Sequence, residues 1–315
     1  MNKSVVKVSA IVGACFIAVG AVCMLIARII GGTSNLVMNY GGTTIVINDG
    51  DCISETMELE PFTDLTVDTA AISVELIQGD SYELETYVPE ELKPVVTQKN
   101  GKLMVKQPKN NLNISIRGND MPYYRITVPT EDVIKTSLDL TSGEVYVADV
   151  NISGEIDLTS GGVVASGITS DILEIDTTSG THEITDCKVD TLKLDSTSGD
   201  VDISNVEADS ISIDGTSGSR ELDNVKTGVL TVETTSGSVH GRAITVDKIN
   251  IDATSGSTEL SLVGEETDYD YEIDCVSGNV RIGDSKIAGG YETENGHGKI
   301  ITVDSTSGNV EIDFE

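Results

Sequence analysis

The chain has 315 residues with 31 glycines, 4% aromatic residues and no tryptophan, which leaves little bulky material for a thick globular core. Its hydrophobic share of 38% is too high for an intrinsically disordered chain, so we expect a thin core of aliphatic side chains. The formal net charge of -32 excludes nucleic-acid binding, because such a surface repels phosphate groups.

The N-terminal segment has the pattern of a membrane anchor. It holds Lys3, Lys7 and Arg28 and no acid, so the residues after position 30 carry a net charge of -35. Residues 8–30 form an apolar run long enough to cross a bilayer core of about 30 Å, and too long for a cleaved signal peptide. The positive-inside rule then predicts a single-pass membrane protein, with a cytoplasmic N-terminus at 1–7, a transmembrane helix at 8–30 in the lipid bilayer, and an extracellular remainder.

Between this helix and the repeats, the sequence has the composition of strands without a regular period. Residues 31–52 are predicted to form a linker, and residues 53–135 a strand-rich cap. The cap includes a degenerate copy of the later repeat at 67–76. It also includes a hairpin at Asn100-Gly101, a dipeptide favoured in tight two-residue turns.

A recurring tripeptide, Thr-Ser-Gly, organises residues 136–315. Its first seven copies follow one another at steps of 18 or 19 residues, and two later copies, one of them Val-Ser-Gly, follow after longer intervals. The copies begin at Thr141, Thr159, Thr178, Thr197, Thr216, Thr235, Thr254, Val276 and Thr306. A period of this length is typical of solenoid proteins, in which each repeat forms one coil.

Each repeat contains short stretches in which apolar and polar residues alternate, as in half-buried strands. After Thr178, for example, the apolar positions include Ile184, Cys187, Leu192 and Leu194. Such strands cannot bury a face alone, so successive coils must stack about 4.8 Å apart. The predicted fold class is all-β: a parallel β-solenoid (β-helix) of about 19-residue coils at 136–315, preceded by the cap and one transmembrane helix. An antiparallel sandwich is the alternative, but its hairpins would not require a constant period.

An acidic residue stands two positions before each copy of the tripeptide, and stacked coils would align these carboxylates. The row comprises Asp139, Asp157, Asp176, Asp195, Asp214, Glu233, Asp252, Asp274 and Asp304. One explanation is structural: each carboxylate accepts hydrogen bonds from the backbone of the corner that follows. The functional alternative is calcium, which prefers carboxylate and carbonyl oxygens, with Asp176, Asp195, Asp214 and Asp252 as candidate ligands. No other metal or cofactor is expected.

The remaining reactive residues form no catalytic pattern. Cys187 falls in an apolar column and is predicted to be a buried small hydrophobe, whereas Cys275 is predicted to face outward. His182, His240 and His297 have no nucleophile at a suitable spacing and are predicted to be surface or edge residues. We therefore expect no catalytic residues and no enzyme activity.

Several segments resemble a bacterial family of β-strand repeat proteins, a domain of unknown function labelled putative adhesin. They are the FTDLTVD segment at Phe62, the YYRITVP strand before the repeats, the I-D-x-T-S-G units and the closing TSGNVEIDF from Thr306 to Phe314. The likeness covers roughly residues 53–315. It implies a cell-envelope protein, with suspected roles in adhesion or envelope-stress sensing and no established catalytic residues.

The sequence thus leaves three functions open. The first is a non-catalytic, membrane-anchored cell-surface protein that acts as an adhesin or envelope display module. The second is a regulatory or sensing component of an envelope-stress response, and the third is a calcium-binding surface solenoid. The binding partner, whether glycan, protein or another envelope component, is not fixed by the sequence.

Overall fold

The computed structural model describes residues 36–40, 43–47, 52–108, 111–113, 121–129, 133–287, 290–294, 296 and 298–315, with the backbone alone at 36–40, 43–47 and 111–113. Apart from two short 3₁₀ helices, Glu90–Leu92 and Glu266–Asp268, all regular structure in these residues is β-strand. The prediction of an all-β, solenoid-like fold is confirmed.

The predicted localisation has to be corrected. Residues 1–7 and 8–30, assigned to a cytoplasmic segment and a transmembrane helix in the bilayer, lie outside the described residues. In the part of the chain that the structure does describe, no helix is long and apolar enough to cross a membrane. The structure therefore does not support the prediction of a single-pass membrane protein.

In the described residues, ten strands precede the regular repeats. They are β1 (Leu36–Tyr40), β2 (Thr43–Ile47), β3 (Ile53–Glu58), β4 (Asp64–Thr69), β5 (Ser73–Gln78), β6 (Glu83–Val88), β7 (Val95–Lys99), β8 (Lys102–Lys106), β9 (Asn111–Asn113) and β10 (Tyr123–Val128). Strands β1, β2 and β9 form a separate small sheet, whose first two strands lie in the predicted linker. The predicted hairpin is confirmed: β7 and β8 are antiparallel, and Asn100 and Gly101 between them both have positive φ.

The next eleven strands form the repeats. They are β11 (Ile134–Ser142), β12 (Val145–Ala148), β13 (Ile152–Ser160), β14 (Val163–Ser166), β15 (Thr169–Ser179), β16 (His182–Thr185), β17 (Lys188–Ser198), β18 (Val201–Ser204), β19 (Glu207–Asp223), β20 (Lys226–Ser255) and β21 (Thr258–Leu262). Long strands pair in parallel with the long strands of adjacent coils, and short strands pair with short ones.

Register between coils explains the columns in the sequence. Leu173 pairs with Leu192, and Ile184 pairs with Ile203, so equivalent residues lie directly above one another. All four side chains are at most 1% exposed, and they belong to one continuous aliphatic core. Strands β4 and β5 join the same stack, because Val67 pairs with Leu138 and Leu76 with Val147. The degenerate copy at 67–76 is therefore a coil in register with the repeats.

The C-terminal strands break the chain order of the stack. They are β22 (Tyr269–Cys275), β23 (Val280–Ile282), β24 (Ser285–Ile287), β25 (Tyr291–Thr293), β26 (Lys299–Ser307) and β27 (Val310–Phe314). Strand β26 pairs with β20 on one side and β22 on the other, while β27 lies between β21 and β23. The last coil of the chain is thus the penultimate coil in space, and β22–β25 form the outer layer.

Candidate functional site

The most regular surface feature is the predicted row of acidic residues, which we call the acidic ladder. Its members pair in register from Asp68 of β4 through Asp139, Asp157, Asp176 and Asp195 to Asp214 and Glu233, and the row continues on the next coils through Asp252, Asp304 and Asp274. Each side chain points away from the core, because its neighbours on both sides along the strand are buried. The solenoid therefore aligns like charges at the strand spacing of about 4.8 Å.

Carboxylates in the ladder repel one another. Partial burial raises the pKa of Asp157, and the neighbouring charges of Glu155 and Asp176 raise it further. Partial burial likewise raises the pKa of Asp195, with added repulsion from Asp176 and Asp214. Both effects disfavour the charged form, so the ladder stabilises any cation that approaches it.

The structural explanation predicted for the ladder is wrong. None of the carboxylates of Asp139, Asp157, Asp176, Asp195 and Asp214 makes a hydrogen bond or an ion pair with another described residue. The corner backbone is bonded elsewhere, since the N–H groups of these strands donate to carbonyl groups of the adjacent coil.

Neighbouring rows are built differently. Glu174 and Lys193 are register partners on adjacent coils, and the Lys193 Nζ lies 2.5 Å from Glu174 Oε1. Glu207 lies in register between Lys188 and Lys226, and the Lys226 Nζ lies 2.7 Å from Glu207 Oε1. Each of these rows contains stacked residues of opposite charge, whereas the ladder repeats one charge, so the ladder remains available to an external cation.

The calcium candidates do not form a metal centre. Asp176, Asp195 and Asp214 lie on consecutive coils, but Asp252 lies two coils beyond Asp214, with Glu233 between them. A straight row of carboxylates on a flat sheet does not converge on one point, as the six to eight oxygen ligands of calcium require. No group of three or more His, Cys, Asp or Glu side chains in the described ranges is placed to hold a metal ion.

The Thr-Ser-Gly corners owe their glycine to close packing between coils. Gly180 has φ of 148°, and a Cβ atom there would lie 1.6 Å from the carbonyl oxygen of Gly161 in the preceding coil. Gly161 and Gly256 meet the same obstacle, at 1.7 and 1.6 Å. The threonines of the tripeptide, such as Thr178 and Thr197, are exposed on the same side as the ladder.

Two predictions about individual side chains were wrong, because each residue lies in an inward column that was not recognised from the sequence. His182 is 1% exposed and occupies the column of Val163 and Val201; its Nε2 lies 2.7 Å from Thr177 Oγ1 and its Nδ1 has no partner among the described residues. Burial lowers the pKa of His182. Cys275 is also buried, at 6% exposure, in the inward column just before the corner.

The other predictions of this kind have mixed outcomes. Cys187 is buried as predicted, and its Sγ lies 3.0 Å from the carbonyl oxygen of Thr185. His240 lies at the surface as predicted, with Nδ1 3.5 Å from Glu259 Oε2. His297 lies outside the described residues.

A buried arginine was also missed. Arg220 is fully buried in the column of Val201 and Val239, and its Nη1 donates to the carbonyl oxygen of Gly218 at 2.6 Å, whereas Nε and Nη2 have no partner among the described residues. Space for it comes from Gly215, where a Cβ atom would lie 1.6 Å from Arg220 Nη2. Two substitutions in one coil were the signal in the sequence. Arg220 stands where the preceding coil has Val201, and Gly215 stands where it has the larger inward residue Ser196.

Comparison with known proteins places this arrangement in a family. Residues 62–313, about four fifths of the chain, match the family model described as Toastrack DUF4097. The chain belongs to this family. The Toastrack assignment confirms the resemblance to a bacterial, putative adhesin-like family of unknown function that the sequence indicated.

Several solved structures are similar to this Toastrack chain. A putative adhesin from Parabacteroides merdae is 12% identical, with a TM-score of 0.47, over 86% of this chain and 99% of that one. A putative adhesin from Bacteroides fragilis is 12% identical, with a TM-score of 0.42, over 83% and 96%. A putative lipid binding protein from Parabacteroides distasonis is 13% identical, with a TM-score of 0.34, over 86% and 99%. No curated protein matches the chain.

Proposed function

We propose that the chain is a non-catalytic adhesive module whose acidic ladder binds polycationic surfaces or segments. The observation that supports this is the row of four consecutive carboxylates, from Asp139 to Asp195, that make no hydrogen bond or ion pair with another described residue. A rigid row of like charges attracts an extended polycation at many points simultaneously. Several weak contacts then combine into useful affinity without any deep pocket.

The chemistry of the described residues supports a binding role over a catalytic one. His182 is buried against Thr177, and His240 lies beside Glu259, so neither approaches a cysteine or serine as a base would. The surface grooves are shallow and are lined by charged strand residues. The groove beside the ladder, for example, is lined by Glu155, Asp176 and Lys193.

The test is binding of poly-L-lysine to the full chain, measured by biolayer interferometry at several salt concentrations. We expect binding that weakens steeply as salt rises, because the interaction is between exposed charges. The triple variant Asp157→Asn, Asp176→Asn, Asp195→Asn should bind at least about tenfold more weakly, a difference of about 1.4 kcal/mol.

A control variant separates the ladder from net charge. Asp80, Asp190 and Asp284 are exposed residues in three separate parts of the fold, so they do not stack on one another and lie outside the ladder. Changing all three to Asn removes the same charge, so it should weaken binding much less than the ladder variant does. Equal losses in the two variants would mean that net charge, and not the ladder, attracts the polycation, and the proposal would then be abandoned.

A further inference from the structure

A second surface, on the outer face of the N-terminal sheet, has different chemistry. We call it the tyrosine platform and define it by Tyr146, Glu75, Arg125, Glu85 and Tyr123. Tyr146 of β12 pairs in register with Glu75 of β5, which pairs with Arg125 of β10, which in turn pairs with Glu85 of β6. These side chains therefore form one row across four neighbouring strands.

Polar groups of the platform are held rigidly. Arg125 Nε donates to Glu75 Oε2 at 2.6 Å, and its Nη1 donates to Glu85 Oε2 at 2.9 Å. The Tyr123 hydroxyl donates to the other oxygen of Glu85 at 3.0 Å, and the Arg125 guanidinium lies 4.7 Å from the centre of the Tyr123 ring. Tyr123 also stacks against Tyr87, with 5.7 Å between ring centres.

This arrangement leaves one donor and one acceptor for a ligand. Arg125 uses Nε and Nη1 in the two ion pairs, so Nη2 remains available, and Glu75 uses Oε2, so Oε1 remains available. The Arg125 and Glu75 side chains are 34% and 26% exposed, so both atoms lie within reach of solvent. An adjacent donor and acceptor on a rigid support match a pair of neighbouring hydroxyl groups.

Tyr146 supplies the apolar surface next to them. Its side chain is 42% exposed, and no other aromatic side chain in the described residues reaches that exposure. Other coils place Val164, Glu183 and Asp202 at this position, so the fold does not require an aromatic ring here. Further along the strand direction from Tyr146 and Glu75, a groove of about 450 Å³ is lined by Ile77, Asp80 and Asp149 among others.

We infer that the tyrosine platform binds neutral glycans, with a pyranose ring lying on the Tyr146 ring and its hydroxyl groups bonded to Glu75 Oε1 and Arg125 Nη2. An aromatic ring flanked by fixed planar polar groups satisfies both the apolar face and the hydroxyl edge of a sugar. The groove at Asp80 and Asp149 accommodates further sugar units. Arg125 forms ion pairs with both Glu75 and Glu85, so the three side chains together carry a net charge of only -1. The platform therefore attracts ionic ligands only weakly.

This inference does not depend on the acidic ladder, and its test is separate. The probes are cellohexaose, maltohexaose and chitohexaose, each added to the full chain and measured by saturation-transfer-difference NMR and calorimetry. We expect at least one hexasaccharide to bind. Its affinity should be unchanged in about 0.5 M NaCl, where the polylysine interaction of charged groups is screened.

Three variants assign the site. Tyr146→Ala should weaken binding of that hexasaccharide about tenfold or more, and Tyr146→Phe should retain it, because the ring is kept. Ile172→Ala is the control, since Ile172 is 44% exposed on a different coil, and it should bind as the unmodified chain does. The inference is overturned if none of the three hexasaccharides binds, if Tyr146→Ala binds normally, or if Tyr146→Phe loses binding. Failure of the polylysine experiment alone leaves it intact.

Discussion

Replacing Gly180 by alanine should destabilise the solenoid far more than an ordinary glycine substitution. A Cβ atom at this corner would lie 1.6 Å from the carbonyl oxygen of Gly161, so the two coils would have to separate locally by about 2 Å to restore van der Waals contact. One backbone hydrogen bond, Gly161 N to Ser179 O at 3.0 Å, joins these two coils, and a second, Gly180 N to Ser198 O at 3.1 Å, joins Gly180 to the following coil, so displacing Gly180 disturbs both.

The magnitude follows from these contacts. Losing the two hydrogen bonds costs about 1 kcal/mol each, and holding alanine at positive φ costs about 1–2 kcal/mol. We therefore expect Gly180→Ala to lower the free energy of unfolding by about 3–4 kcal/mol, a large part of the 5–15 kcal/mol typical of folded proteins. Urea denaturation followed by circular dichroism measures the difference.

Two controls separate the causes. Gly101 also has positive φ, but its added Cβ atom would meet only Thr63 Oγ1 at 3.7 Å, so Gly101→Ala should cost only the backbone term of about 1 kcal/mol. Thr178→Ala changes an exposed corner hydroxyl and should cost less than about 0.5 kcal/mol. If Gly180→Ala were no more harmful than Gly101→Ala, close packing between coils would not be the reason for the conserved spacing of glycine along this chain.

Four further outcomes are expected. Ala243 has φ of 53°, so Ala243→Asn should raise stability by about 1 kcal/mol in urea denaturation, because asparagine tolerates this conformation and can continue the side-chain ladder of Asn224. Gly215→Ser alone should destabilise the chain, because the new side chain clashes with Arg220. The double variant Gly215→Ser, Arg220→Val also removes the buried, partly unpaired guanidinium, so it should be about 1–3 kcal/mol more stable than the unmodified chain in a double-mutant cycle. Burial lowers the pKa of His182, so as pH falls the unfolded state takes up a proton on this histidine before the folded state does. The free energy of unfolding should therefore decrease as pH drops below about 6.5, and melting curves of His182→Val should show a smaller decrease. Calcium should shift the melting temperature no more than an equal concentration of magnesium does, since a calcium-specific shift would require a metal site that the described carboxylates do not form.

Periodicity made most of the fold predictable. Positions that are apolar in every repeat, such as those of Leu192 and Leu194, are also buried, because a parallel stack places equivalent residues above one another. The buried histidine and arginine escaped prediction for the same reason. His182 and Arg220 are buried in a column that other coils fill with valine. Because histidine and arginine are usually exposed, their residue type indicated a surface position, whereas their place in the repeat indicated a buried one.

The acidic ladder shows a different limit. The alignment of its carboxylates was predicted correctly, because it depends only on the repeat. The hydrogen bonds predicted between these carboxylates and the corner backbone are not formed. Corner residues bond their own backbone groups when those groups are unpaired. In this stack the strands run on into the corners, and adjacent coils pair the N–H groups instead, as at Gly180 and Gly199. The carboxylates from Asp139 to Asp195 are therefore left to solvent and to partners, whereas Asp68 pairs with Lys106 at 3.3 Å.

Coil order could not have been predicted from the columns. Strand β26 has the same inward pattern as any other long strand, so it fits equally well on β20 or on β22, and in the structure it contacts both. A generic interior makes the coils interchangeable, and only connection lengths decide their order. The same reasoning locates function. Because the interior is nearly the same from coil to coil, recognition has to come from exterior residues in which coils differ, such as Tyr146, or from rows in which the exterior is uniform, such as the acidic ladder.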